Sequence, residues 1–167
     1  MNKKLIDEIN KQITLEFYSA HFYLSMAAYA AQNDLPGFEN WFLQQKDEET
    51  IHAMKFYNYL HTRDEAVVIQ GFDNPPTAFD SLLDAFEKGF AHEKTVTERI
   101  NYLMSLAHES KDYAAVNFLN WYVDEQVEEE ESFSQMIGQI KLIGKEGMGL
   151  YHLDKEAAAR TAAQIPL

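Results

Sequence analysis

The stretch QQKDEETIHAMKFY, residues 44–57, sets a carboxylate and an imidazole on a line of residues that otherwise belongs to a core. Phe38, Phe42, Gln45, Glu49, His52, Phe56 and Tyr59 recur at steps of three and four, the spacing of one helix face. Three other stripes break in the same way at about mid-length. Glu16 interrupts Leu5, Ile9, Ile13, Ala20, Tyr23 and Ala27, and Glu93 interrupts Phe86, Phe90, Thr97, Ile100 and Met104. Gln126 and Glu129 interrupt Leu119, Tyr122, Phe133, Met136 and Ile140. Singly, each has an ordinary reading: Glu16 or Glu93 snorkels at an interface, and His52 is a satisfied core imidazole.

Together they are harder to accommodate. Carboxylates gathered in low dielectric repel one another and lose their hydration, and divalent cations relieve both penalties. Glutamate oxygens with one imidazole make a hard, oxygen-rich donor set, suited to iron or manganese, open to zinc and poor for copper(I). The i, i+3 step places Glu49 and His52 about one turn apart on the same face, so the carboxylate can bridge two ions while the imidazole holds one. The expected arrangement gives one metal to Glu16, Glu49 and His52 and a second to Glu49, Glu93 and Glu129. Gln126 is a weak ligand, placed to hydrogen-bond a bound peroxide or water, so the second ion is expected to be held more loosely.

Tyr23 lies two turns beyond Glu16 on the same face, where it either serves a ligand as hydrogen-bond donor or electron source, or packs. Trp121 stands at a similar height with the same two readings. Glu48, Glu125 and Glu128 adjoin the core glutamates nearer the helix flank, as a third cation site, an exit route or a solvated acidic face.

These residues need long helices to align them. The periodicity predicts helices over 4–32, 36–62, 79–107 and from about 114 to 143, with YHLDKEAAARTAAQ as a short fifth. Short polar breaks near 33 and 110 imply two antiparallel hairpins. The irregular segment RDEAVVIQGFDNPPTA, in which Val67-Val68-Ile69 is read as an extended crossing rather than a strand, spans on the order of 50 Å. A 27-residue helix is about 40 Å long, so this linker can cross the whole bundle and set the second and third helices parallel.

Composition narrows the classes. The 167 residues suit one domain, and the absence of cysteine excludes disulfides, thiolate zinc sites, iron–sulfur clusters and cysteine nucleophiles within the chain. A formal charge of −13 argues against nucleic-acid binding and favours cations. MNKKLIDEINKQ has no long apolar region, so no secretory leader is expected, and no apolar run reaches the ~20 residues of a membrane span. A cytoplasmic location fits these features.

Glu16, Tyr23, Glu49-x-x-His52, Glu93 and Gln126-x-x-Glu129, in this order and spacing, resemble the ferritins, in particular the bacterial non-haem ferritins. The resemblance covers nearly the whole chain and implies a single ferritin-like di-iron domain over 1–167. Its fold would be all-α: a four-helix bundle with one long crossover and a short fifth C-terminal helix. It implies a ferroxidase centre, served by Glu16, Tyr23, Glu49, His52, Glu93, Gln126 and Glu129, that oxidises two Fe(II) with O2 or H2O2 and passes Fe(III) to a mineral. It further implies iron storage and detoxification in a homo-oligomeric shell of 24 subunits with octahedral symmetry, without nucleic-acid or membrane partners. A third iron site would fall on Glu48, Glu125, Glu128 and Glu129. Haem is not expected, because bacterioferritins carry a second Glu-x-x-His where this chain has Gln126-x-x-Glu129. They also place the haem-ligating methionine directly after the bridging glutamate, where this chain has Thr50. Composition and periodicity alone leave open a soluble di-iron oxidase, a manganese catalase or a metal-free helical scaffold.

Overall fold

The computed structural model describes residues 1–144 and 147–161. Among the described residues it contains five α-helices and no strand: α1 Lys3–Gln32, α2 Pro36–Thr62, α3 Leu82–Glu109, α4 Tyr113–Ile143 and α5 Gly147–Ala157. None of these helices is long and apolar enough to cross a membrane.

Local chemistry sets the boundaries. Asn2, Ser81 and Asp112 cap α1, α3 and α4 by accepting from backbone N–H groups of the first turn, and Pro36 opens α2. The Ser81 cap starts α3 at Leu82 rather than at 79, and the helix runs to Glu109. The helices α1, α2 and α3 each end in the same closed turn. Asp34, Asp64 and Lys111 take positive φ, and the N–H of the following residue returns to the carbonyl of Ala30, Leu60 or Ala107. No glycine marks these ends.

Packing follows from the connections. The tight turns pair α1 with α2 and α3 with α4 as antiparallel hairpins. The linker between them climbs along α1: the Asn10 amide donates to Ala66 O at 3.1 Å and accepts from Val68 N at 2.7 Å, and Ser25 Oγ donates to Pro76 O at 2.6 Å. Asn10 supplies the hydrogen bonds a partner strand would give, so Val67-Val68-Ile69 stays extended without joining a sheet. The path from Asn10 towards Ser25 carries the chain back to the end where α2 began. Helices α2 and α3 are therefore parallel.

The stripes of α1 and α4 are buried as the periodicity predicts. On α2 Leu60 takes the buried place and Tyr59 is half-buried; on α3 Phe86, Glu93 and Ile100 are buried as expected, while Gly89, Val96 and Leu103 are buried beside them and Phe90, Thr97 and Met104 are only half-buried. Gly89 explains the rotation of α3. A Cβ there would lie 2.3 Å from the Phe133 ring, so this face of α3 presses closest on α4.

The short helix α5 begins four residues earlier than expected and ends at Ala157; residues 162–164 of the predicted helix lie outside the described residues. Its docking is specific. Asp154, buried, accepts from the N–H groups of Gly37 (2.8 Å) and Phe38 (3.0 Å), placing a carboxylate on the positive N-terminus of α2. The fit requires glycine: a Cβ on Gly37 would stand 1.6 Å from the Asp154 carbonyl oxygen, which is backbone and cannot step aside. Gly37→Ala should therefore undock α5 at a loss of about 1–3 kcal/mol, or roughly 3–10 °C in Tm. A thermal melt read by circular dichroism checks this, and an unchanged Tm would refute the close approach.

Candidate metal centre

The hydrophobic core is two clusters rather than one. Towards the α5 end lie Tyr23, Met26, Phe38, Phe42, Phe86 and Phe133; towards the other lie Leu5, Ile9, Phe56, Leu60, Ile100 and Leu119. Between them runs a polar layer to which all four long helices contribute: Glu16 from α1, Gln45, Glu49 and His52 from α2, Glu93 from α3, Gln126 and Glu129 from α4. All seven side chains belong to residues no more than 4% exposed. The stripe positions put them there, since each sits about midway along a helix of 27 to 31 residues.

Within the layer, ligand atoms of Glu16, Glu49 and His52 all lie within 4.8 Å of one another, which brings the first expected metal set together. His52, Glu125 and Glu129 form a second such triad. One imidazole stands between the two, its Nδ1 at 3.3 Å from Glu49 Oε2 and its Nε2 at 3.5 Å from Glu125 Oε1. The second contact is attractive but too long for a good hydrogen bond, and among the described residues Nε2 is one of two buried side-chain polar atoms left without one. The other is Glu16 Oε2, in the same triad. A bound cation would satisfy such atoms.

The second expected set is less gathered. Glu93 stands in neither triad, because its carboxylate is held at the edge of the layer. The Tyr23 hydroxyl donates to Oε1 and the Gln126 amide donates to Oε2 at 3.1 Å. Glu129 Oε2 accepts from Gln45 Nε2 at 2.6 Å. The flanking glutamates separate: Glu125 joins His52, Glu48 is buried and paired with Arg160 at 2.6 Å, and Glu128 is exposed outside both triads. The Trp121 ring meets His52 edge-on at 5.4 Å, with the Lys55 ammonium 4.5 Å above it.

Several supporting residues carry no strong sequence signal. Gln12 donates to Glu16 Oε1 at 2.9 Å from one turn earlier, the one partner that spacing along the helix could have found. Gln45 orients Glu129, and Arg160 reaches both Gln45 and Glu48 from the far end of the chain. His92 follows the α3 register to the other side of Glu93, where Ser19 Oγ lies 2.7 Å from its Nε2 and burial pushes its pKa down to about 4.

The electrostatics express the crowding. Burial pushes Glu49 well above the ordinary carboxyl range, with the charge of Glu93 adding to it and His52 pulling back. Burial also raises Glu16, against the pull of His52 and the Gln12 hydrogen bond. The same desolvation brings Glu93 to about 7 and, with repulsion from Glu93, Glu129 to about 8. For His52 burial acts downward, but Glu125 and Glu49 outweigh it and hold the imidazolium well above its usual range. Tyr23 is raised by burial and then by Glu93 and Glu49, so its hydroxyl keeps its proton and donates. Without an ion, protons do part of the work of a cation.

Comparison with known proteins bears on this architecture. The family model described as ferritin-like domain matches residues 6–143. The chain belongs to the ferritin family. It is 44% identical to the bacterial non-heme ferritin of Staphylococcus saprophyticus over 161 residues, 96% of either chain. The Staphylococcus aureus protein of the same name is 39% identical over 96% of this chain and 97% of its own. Among solved structures, an open pore ferritin from the archaeon Archaeoglobus fulgidus superposes with a TM-score of 0.95 at 43% identity, covering 96% of this chain and 99% of that one. These ferritin relationships support iron storage as the broad function and a bundle whose buried glutamates and histidine are able to hold metal.

The raised carboxyls fix a pH dependence. A carboxyl whose pKa is higher folded than unfolded favours the fold below its unfolded value, and that contribution is lost as pH rises through the folded value. His52, also raised, acts in the same direction. Between the ordinary 4.5 and the values near 7 and 8 for Glu93 and Glu129, metal-free protein should lose about 1.4 kcal/mol per pH unit for each carboxyl titrating. Denaturant unfolding of metal-free protein at pH 5 and pH 8 should show lower stability at pH 8 and a shallower slope in Glu129→Gln. Stability that is flat across this range would contradict the buried-carboxyl account.

Proposed function

We propose that the chain stores and detoxifies iron by oxidising Fe(II) at a two-iron centre in the polar layer and depositing Fe(III) as a mineral inside a 24-subunit cage. The observation that carries this reading is the triad Glu16, Glu49 and His52, buried between two apolar clusters with Glu16 Oε2 and His52 Nε2 left without hydrogen-bond partners. In this reading one Fe(II) binds Glu16, Glu49 and His52. The second binds Glu49, which bridges, with Glu93 and Glu129. Gln126 and Tyr23 hold the outer side of Glu93 and aim it. Glu48, Glu125 and Glu128 flank the route out as a transient third position.

Two ions at one bridging carboxylate allow a paired electron transfer. Each Fe(II) gives one electron, and O2 takes two electrons and two protons to become H2O2, so no superoxide is released. With H2O2 as oxidant, the O–O bond breaks and the same two electrons and two protons yield two waters. Carboxyls that carry protons before metal binding release them as the ions enter. Hydrolysis of Fe(III) to an oxyhydroxide releases three more protons per ion. Asymmetric ligation, with Gln126 in place of a charged ligand, weakens the hold on the second ion and lets the product leave. A soluble cage in the cytoplasm, where Fe(II) prevails, fits this chemistry.

Loading the metal-free protein aerobically with several hundred Fe(II) per 24 chains, followed by size exclusion with iron and protein detected together, tests the proposal. Iron should elute with a particle of twenty-four 19.3 kDa chains, and Glu49→Gln should slow oxidation at least about tenfold. A small oligomer that retains about two irons per chain would overturn the storage reading in favour of a di-iron oxidase.

A further inference from the structure

The segment that follows α5 delivers a cation to the edge of the metal centre. Arg160 Nη2 donates to Glu48 Oε2 at 2.6 Å and to Gln45 Oε1 at 2.7 Å. The guanidinium carbon lies 4.1 Å over the Trp41 ring, and Asn40 Nδ2 donates to the Arg160 carbonyl at 3.0 Å. The Asp154 anchor on the N-terminus of α2 fixes the helix from which this arm departs. The side chain is therefore clamped in place rather than adrift on the surface.

Two consequences follow from the donor inventory. Arginine has only donors and keeps its charge at every physiological pH. Because the guanidinium takes the Gln45 oxygen, the Gln45 amide must present its NH2 group to Glu129, which it does at 2.6 Å. The same guanidinium neutralises Glu48, which lies one residue before Glu49 and whose charge is felt by Glu129.

We propose that Arg160 is a positioning residue beside the two-iron centre: its guanidinium holds Glu48 and Gln45, and so keeps the Glu48 carboxylate from serving as a ligand to a further divalent ion. This rests on the two-iron reading for its significance, though not for its test. The guanidinium competes with any divalent ion for the Glu48 carboxylate. Removing the charge takes that competitor away from Glu48.

Calorimetric titration of the metal-free protein with Zn(II) alone tests this on the full chain. Arg160→Ala should bind one more zinc per chain than the wild type, or bind its last zinc at least about tenfold more tightly. Arg160→Gln, which keeps a donor for Gln45 and removes only the charge, should do the same and guards against misfolding of the alanine variant. Adding Glu48→Gln to either variant should abolish the gain, which loosening of the C-terminal arm alone would not produce. A zinc gain that depends on Glu48 supports the proposal whatever the wild-type count. No gain in either variant, or a gain that survives Glu48→Gln, overturns it. Fewer than two zincs in the wild type would instead count against the two-iron reading.

Discussion

The rest of the structure depends on one constraint: carboxylates from four helices are buried in a single layer, where their mutual repulsion and lost hydration oppose folding. A bundle of this length could close its core with leucine throughout. Instead the apolar packing is divided into two clusters, and the layer between them holds Glu16, Glu49, Glu93 and Glu129 around one imidazole. Each apolar cluster supplies hydrophobic burial on its own side. The strained layer is therefore held from above and below by packing that does not depend on it.

Much of the fold can be read as service to that layer. Two tight hairpins and one long crossover place four helix midpoints at the same height. Apart from His52 on Glu49, the layer is tuned by neutral amides and a hydroxyl: Gln12 on Glu16, Gln45 on Glu129, Gln126 and Tyr23 on Glu93. Such donors orient a carboxylate without cancelling its charge, so the affinity for a cation survives. The permanent cations Arg99 and Arg160 stand at the periphery, the first on Glu8 and the second on Glu48. Had either reached Glu49, it would have taken the place that a cation could fill.

The parts legible in sequence are those with local periodicity. The stripes of α1, α2 and α4, the Glu49-x-x-His52 step and the length of the crossover require only helix geometry. The register of α3 slips because glycine reads as neutral, whereas Gly89 is the residue that lets α3 meet Phe133. The docking of α5 depends on a carboxylate, Asp154, whose partners lie 116 and 117 residues away. Arg160 is equally remote, 112 residues from Glu48, inside a stretch that reads as an ordinary alanine-rich helix. Within the layer, sequence identifies the glutamates but not their grouping. That Glu129 turns to His52 and Glu125 while Glu93 is drawn to Tyr23 follows from side-chain hydrogen bonds across the bundle.

The central claim is that this layer is a two-metal site bridged by Glu49. Crystals exposed to Fe(II) without oxygen and measured at the iron absorption edge test it most directly. The account predicts two anomalous peaks per chain roughly 3–4 Å apart, one against Glu16, Glu49 and His52 and the other against Glu49, Glu93 and Glu129. A single peak, or iron bound only to surface carboxylates with the layer empty, would contradict it.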